Sequence, residues 1–136
     1  MSKRKTYSQA KGRGKGGGYF HFPHVISTQS NIAQMSYHAK ALLLDLGSQY
    51  KGYNNGDLSI VWQFMIKRGW KSKQTLYKAR DELLKIGLIV ITQYGDRKRP
   101  TLYGLTWREI NKVSDVVSVT QKIKIGDTIN TWRINH

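Results

Sequence analysis

The chain has 136 residues, no cysteine and a formal net charge of +15, with a sequence pI near 10.2. This length predicts one domain with tails, and the lack of cysteine excludes a disulfide framework and a thiolate metal site. No apolar run approaches the roughly 20 residues of a membrane span, and no apolar block of a secretory signal follows the basic N-terminus. These features predict an intracellular protein that binds a polyanion. Nucleic acid is the first candidate, and an anionic membrane surface is the second.

Residues 1–18 form a basic, glycine-rich segment that contains no acidic residue. Such a composition buries too little apolar surface to offset the entropy of ordering, so we expect a flexible arm. An arm of this kind contacts phosphates without sequence preference; the alternative is a solubilising leader. Its GRGKGGG stretch lacks the Gly-Lys-Ser/Thr ending and the preceding strand of a P-loop. The cations of the arm are Lys3, Arg4, Lys5, Lys11, Arg13 and Lys15.

The next segments predict an extended stretch and a first helix. Residues 19–25, YFHFPHV, are expected to be extended, and their two histidines lack further ligands at metal-binding spacing, so no metal or cofactor is predicted. Residues 36–50 predict a helix capped by Ser36, whose apolar stripe includes Leu42 and Leu46. Asp45 lies inside this helix and is expected on an exposed face or in a cap interaction. The following YKGYNNGD segment predicts a turn.

Two more helices follow. Residues 59–68 predict a helix capped by Ser59 or Asp57. Trp62 in this helix and Trp70 in the turn after it are both expected to pack in the core rather than to stack on bases. The core-facing residues of this helix are predicted to be Ile60, Phe64 and Met65. Residues 72–87 predict the third helix, with Ser72 as N-cap and Gly87 in the left-handed conformation after its end. The apolar positions of this helix are Leu76, Ala79, Leu83 and Ile86.

After Gly87 the apolar period changes from helical to alternating. Residues 88–93 and 101–106 predict two strands, and the loop between them carries Arg97, Lys98 and Arg99 at its tip. The Thr106–Glu109 pattern matches a capping box and predicts a short helix. Beyond residue 111 the pattern is weaker and leaves open a hairpin around Gly126 or a tail that orders on a partner.

The order of these elements predicts an α+β fold, a winged helix-turn-helix with a three-helix core and a two-stranded β wing. The expected organisation is a flexible basic arm (1–18), the winged helix-turn-helix domain (19–111), and a C-terminal extension (112–136) that supplies a dimer or partner contact. In such a fold, the N-terminal turns of the second helix of the motif enter the major groove.

The candidate DNA-binding residues follow from this arrangement. In the third helix, Gln74 can read adenine, lysine can read guanine, and tyrosine or threonine can contact a phosphate or a thymine methyl group. The cations of the turn and of the wing are expected to contact phosphates, or, for the wing, a narrow minor groove. The competing interpretation is that these cations only solvate exposed faces. The full set is Lys67, Arg68, Lys71, Lys73, Gln74, Thr75, Tyr77, Lys78, Arg97, Lys98 and Arg99.

The segment KQTLYKARDELLKIGLI resembles the recognition-helix-to-wing segment of winged helix-turn-helix proteins. The segments FPHVI, MSYHAKALLLDLGSQYKGYNNGDLS and RPTLYGLTW are similar to those of small helix-turn-helix proteins of phages, prophages and plasmids, and to the DNA-binding domains of replication initiators. The resemblance covers roughly residues 19–111. It implies a DNA-binding role for the surface of residues 71–78 and for the wing at residues 97–99.

The leading hypothesis is therefore a non-enzymatic protein of a mobile element that binds double-stranded DNA as a transcriptional regulator or at a replication origin. A homodimer on an inverted repeat is compatible with it, because one module contacts few base pairs. The expected location is the cytoplasm or nucleoid of a bacterial host. The alternatives are an RNA-binding protein and a phage-encoded protein–protein module that inhibits a host nucleic-acid enzyme. No paired carboxylates and no nucleophile–base pair indicate an enzyme.

Overall fold

The computed structural model describes residues 19–133, and the predicted arm lies outside them. This part of the chain is α+β, with six helices and one two-stranded antiparallel sheet. None of these helices is long and apolar enough to cross a membrane. In chain order the elements are α1 (His24–Ser27), α2 (Ser30–Ala33), α3 (Tyr37–Gly47), α4 (Trp62–Lys67), α5 (Lys73–Ile86), β1 (Ile89–Gln93), β2 (Leu102–Leu105) and α6 (Asp115–Thr120).

The first segment is extended only as far as Pro23, so the prediction for residues 19–25 is wrong at its end. Pro23 has a φ of −59°, which suits the residue before a helical turn. Its carbonyl oxygen accepts from the backbone N–H groups of Ile26 and Ser27, at 3.0 and 3.1 Å. A single turn, α1, therefore begins at His24 and buries Ile26 in the core.

Helix α3 confirms the first predicted helix, although it ends at Gly47 and not at residue 50, and its start is fixed by α5. The Ser36 hydroxyl accepts from the N–H of Ala39 at 3.1 Å, as an N-cap does. The Glu82 carboxylate of α5 accepts from both the Ser36 N–H and its hydroxyl, at 2.6 and 2.7 Å. A carboxylate at a helix N-terminus is also favoured by the helix dipole. Glu82 thus holds α3 against α5.

Helix α4 begins later than predicted, at Trp62, and neither Ser59 nor Asp57 caps it. Residue 59 is kept extended because the Gln49 side-chain amide bonds both its N–H and its carbonyl oxygen, at 2.9 and 2.8 Å. Ile60 and Met65 are buried as expected. Phe64 is 43% exposed, so its predicted core position is wrong. It lies about 100° around the helix from Met65, which supplies the core contact of this short helix.

Helix α5 confirms the third predicted helix at both ends. The Ser72 hydroxyl accepts from the N–H of Thr75 at 3.2 Å. Gly87 has a φ of 91°, and its N–H and that of Leu88 donate to the Leu83 carbonyl oxygen, which ends the helix in a left-handed residue. The buried positions are Leu76, Ala79 and Leu83.

Strands β1 and β2 form the predicted hairpin, with an irregularity between Ile91 and Gln93. Leu58 forms an isolated antiparallel bridge with Tyr103, so an extended segment ahead of α4 adds to the edge of the hairpin. All four residues of β2 are buried because both faces are covered. One face lies on the helices, and Ile110 approaches Gly104 on the other.

The capping box predicted at Thr106 does not open a helix. The Thr106 hydroxyl donates instead to the Gly87 carbonyl oxygen at 2.6 Å, and the next residues form a turn. Beyond it, the described residues contain neither a hairpin nor a detached tail. Helix α6 buries Val117 with Ile110 and Ile123, and Trp132 packs into the main core with 3% exposure. The C-terminal segment therefore packs against its own domain.

Candidate nucleic-acid interface

One face of α5 is polar, cationic and open to solvent. Lys73, Gln74, Tyr77 and Lys78 are all exposed, while Thr75 is half-buried at the edge of this face. At about 100° per residue, positions 73, 74, 77 and 78 fall within an arc of about 140°, so these four side chains lie on one side of the helix. The opposite side carries the buried residues of α5 and is anchored to α3. The helix can therefore present the first two turns of this face to a ligand without exposing the core.

Within residues 19–133, no acidic side chain forms an ion pair with the lysines of this face. The ion pairs among residues 19–133 join Asp45 to Arg68, Asp81 to Arg80, Asp96 to Arg99 and Asp57 to Lys112. None of them uses Lys73 or Lys78. The Lys73 ammonium lies 6.0 Å from the centroid of the half-buried Trp62 ring, and Trp62 packs against the core as expected. The first two turns of α5 thus keep their positive charge.

The turn between α4 and α5 is built on a buried carboxylate. Asp45 is 6% exposed, so the expectation of an exposed face or cap is wrong. It accepts from the indole N–H of Trp70 at 2.7 Å and from Arg68 Nε at 2.9 Å. Hydrogen bonds to a charged acceptor are stronger than neutral ones, and they fix the direction in which α5 leaves the turn. Trp70 is buried and packs, as predicted.

Arg68 is therefore a positioning residue as well as a surface cation. Its guanidinium also lies 3.3 Å from the Ser48 hydroxyl, and its side chain is 39% exposed. This pairing competes with the phosphate contact predicted for it. Lys67 and Lys71 are exposed on either side of the turn and take part in none of the ion pairs of residues 19–133. They remain the cations of the turn that can meet phosphates.

The tip of the hairpin is an ordered turn organised by Asp96. Its carboxylate accepts from the backbone N–H groups of Lys98 and Arg99, at 2.8 and 3.0 Å. The pKa of Asp96 is lowered, chiefly by the hydrogen bond from the Lys98 N–H. The N–H and the positive charge of Arg99 lower it further, and slight desolvation opposes these effects. Arg99 Nε also lies 3.5 Å from this carboxylate, whereas Arg97 and Lys98 are exposed and outside that ion pair.

The hairpin runs back along α5 towards its N-terminal half. Its base lies at the C-terminal end of α5, where Thr106 bonds Gly87. Further out, Tyr103 lies beside Arg80 and Tyr77; burial raises the pKa of Tyr103, and the Arg80 charge opposes this effect. Beyond Tyr103 the strand register shifts, between Ile91 and Gln93. The contacts between the hairpin and α5 therefore extend along the helix as far as Tyr77.

Sequence reasoning missed the polar residues that hold this surface in place. Asp45, Glu82 and Asn55 do so through partners far along the chain. Asn55 is fully buried, and its amide bonds both the N–H and the carbonyl oxygen of Leu105 at the end of β2, at 2.7 and 2.9 Å. In the sequence, each of these residues is only a polar residue next to apolar ones. Such a pattern does not identify its hydrogen-bond partner.

No group of three or more potential metal ligands occurs in the described part of the chain. Comparison with protein-family models, curated proteins and solved structures finds no match to this chain.

Proposed function

We propose that this protein binds double-stranded DNA without catalysing a reaction, as a winged helix-turn-helix in which α5 enters the major groove. The observation that carries the proposal is the exposed, acid-free cationic face of the first two turns of α5. A helix of this kind fits the major groove, whose base edges give each base pair a distinct donor and acceptor pattern. Helix α4 and the Asp45-anchored turn hold α5 at a fixed angle for this contact.

The residues divide into reading and positioning roles. Gln74 can bond adenine through two hydrogen bonds, and Lys73 can reach guanine. Lys67, Lys71 and Lys78 contact phosphates, which adds affinity and fixes the register but carries no sequence information. Arg97 and Lys98 contact the backbone or the minor groove from the hairpin tip. Arg68 mainly holds the turn through Asp45.

The biological setting follows from the sequence resemblance. The protein acts in a phage, prophage or plasmid, in the cytoplasm or nucleoid of a bacterial host, either in transcription regulation or at a replication origin. The two roles differ in where the site lies: a regulator occupies a promoter, and an origin-binding protein occupies repeats at the origin. A homodimer would place two α5 helices about one helical turn of DNA apart.

Selection of bound sequences from randomised duplex DNA tests the proposal. An enriched motif is expected, and a palindromic one would indicate a dimer through its half-site spacing. On the selected duplex, Arg97→Ala is expected to weaken binding across all sequences, whereas Gln74→Ala should relax preference at one position by about 1–3 kcal/mol. If no motif is enriched, sequence-preferring duplex binding is refuted.

Single-stranded RNA is the second candidate partner. The Tyr19 ring is 59% exposed and stacks on His21 with centroids 4.9 Å apart, and Tyr53 is 70% exposed. Exposed aromatic rings near cations are used to stack unpaired bases. Competition between the selected duplex and single-stranded RNA at physiological salt separates the two: displacement of the duplex by a lower concentration of RNA would favour the RNA function.

A further inference from the structure

An open groove lies beside the candidate interface, between α3 and the turn that precedes α5. Its volume is about 500 Å³. Its walls combine apolar and aromatic groups with the first residues of α5. The lining includes Ala41, Leu44, Trp70, Lys71 and Thr75.

An apolar stripe on α3 borders the groove and has no partner in the described part of the chain. Tyr37, Ala41 and Leu44 follow the spacing of one helix face. Ala41 and Leu44 line the groove, and Tyr37 extends the stripe beyond it. Tyr37 is 85% exposed and Leu44 is 58% exposed. Apolar side chains in such a row, rimmed by polar groups, are typical of a surface that receives an amphipathic helix. The groove has the shape and the lining for the same kind of ligand.

The groove carries a net positive charge. Lys71 and Arg68 line it, together with the Asp45 carboxylate, which bonds Arg68 and Trp70. Lys40 lies outside the lining but is exposed on the same helix as the stripe, with its ammonium 5.3 Å from the Tyr37 ring centroid. The groove therefore offers apolar contacts framed by positive charge.

We propose that this groove binds an acidic amphipathic helix of a partner protein. Leucine-like side chains of that helix would lie on Leu44, Ala41 and Trp70, and its carboxylates would meet Lys71 and Lys40. Charge argues against a second copy of this chain seated groove to groove, because two such surfaces would bring their lysines together.

Binding in the groove would regulate DNA binding. The groove includes Lys71 and Thr75, which also belong to the candidate DNA-binding residues. An acidic helix seated there would neutralise Lys71 and obstruct the start of α5, so partner and duplex would compete. This regulatory step rests on the proposed function, whereas the binding of the peptide does not.

A synthetic acidic peptide tests the proposal on the full-length protein. The probe is a labelled peptide of about 14 residues, four helical turns, with leucine at one face and glutamate elsewhere. A scrambled peptide of the same composition is the control for charge alone. Fluorescence anisotropy in about 0.15 M salt should show at least about tenfold tighter binding of the amphipathic peptide. Equal binding of the two peptides would overturn the proposal.

Two matched variants locate the binding. Leu44→Gln should weaken the amphipathic peptide about tenfold and leave duplex binding unchanged. Val119→Gln, at a position that is 76% exposed on α6, should change neither. If Leu44→Gln has no effect on the peptide, or instead converts a dimer of the protein to a monomer, the proposal is wrong.

Competition experiments separate this proposal from the proposed function. Excess amphipathic peptide should release the selected duplex from the wild-type protein. Peptide binding through Leu44 without any duplex binding would refute the proposed function and leave the groove assignment standing. Duplex binding that the peptide does not disturb would refute the regulatory step alone.

Discussion

Replacement of Asp45 tests whether the buried carboxylate holds the turn that orients α5. Asp45→Ala removes the acceptor of the Trp70 N–H and of Arg68 Nε. Each hydrogen bond to a charged group contributes about 1.5–3 kcal/mol, but the exposed fraction of Arg68 reduces its share. We expect a loss of about 3 kcal/mol from the free energy of unfolding. Asp45→Asn keeps an oxygen for the indole N–H and should lose only about 1 kcal/mol.

Urea unfolding followed by tryptophan fluorescence measures both values. The midpoint should fall while the slope stays constant, which indicates a change in stability and not in the denatured state. At temperatures where Asp45→Ala remains folded, its affinity for duplex DNA should also fall, because the turn no longer fixes α5. Losses below about 0.5 kcal/mol in both variants, within the range of ordinary surface substitutions, would refute this account of the turn.

Two further predictions concern the end of α5 and the hairpin. Gly87→Ala places a methyl group in a left-handed residue against the backbone carbonyl group of Thr131. It should lower the free energy of unfolding more than Gly52→Ala does. Gly52 shares the positive φ, but a methyl group there would meet no atom within 4 Å. Equal losses would show that the C-terminal segment does not pack against Gly87. Burial raises the pKa of the Tyr103 phenol above 10.0. The neutral Tyr103 phenol therefore contributes fully to the free energy of unfolding below pH 10.0, and this contribution is lost as the pH rises through the folded-state pKa. Tyr103→Phe should remove this dependence on pH.

The elements that the sequence predicts correctly are those whose signals are local. Ser72, the apolar spacing and Gly87 all lie within or next to α5, so its bounds and its exposed face follow from neighbouring residues. Polar contacts across the fold are different. Asp45 bonds residues 23 and 25 positions later, and Asn55 bonds the backbone 50 positions later. No local pattern identifies such a partner.

Contacts outside the local pattern also explain two of the wrong predictions. Thr106 has the pattern of a helix N-cap, but its hydroxyl is taken by Gly87, 19 positions earlier. The valine-rich segment that becomes α6 has the β-branched residues of a strand. Ser114 nevertheless caps it as a helix, by accepting from the Val117 N–H at 3.2 Å, and Val117 packs on Ile110. Short apolar segments of this kind take their structure from the surface they cover.

In the proposed function the charged face of α5 enters a DNA groove, and charge reversal on that face tests this claim. The measurement is the affinity of Lys73→Glu/Lys78→Glu for the selected duplex, compared with Lys51→Glu/Lys124→Glu, which has the same net charge and changes exposed lysines outside α5 and the hairpin. The first variant should lose detectable binding. The second should lose only the general electrostatic contribution and keep the sequence preference. Equal affinities of the two variants would contradict the claim.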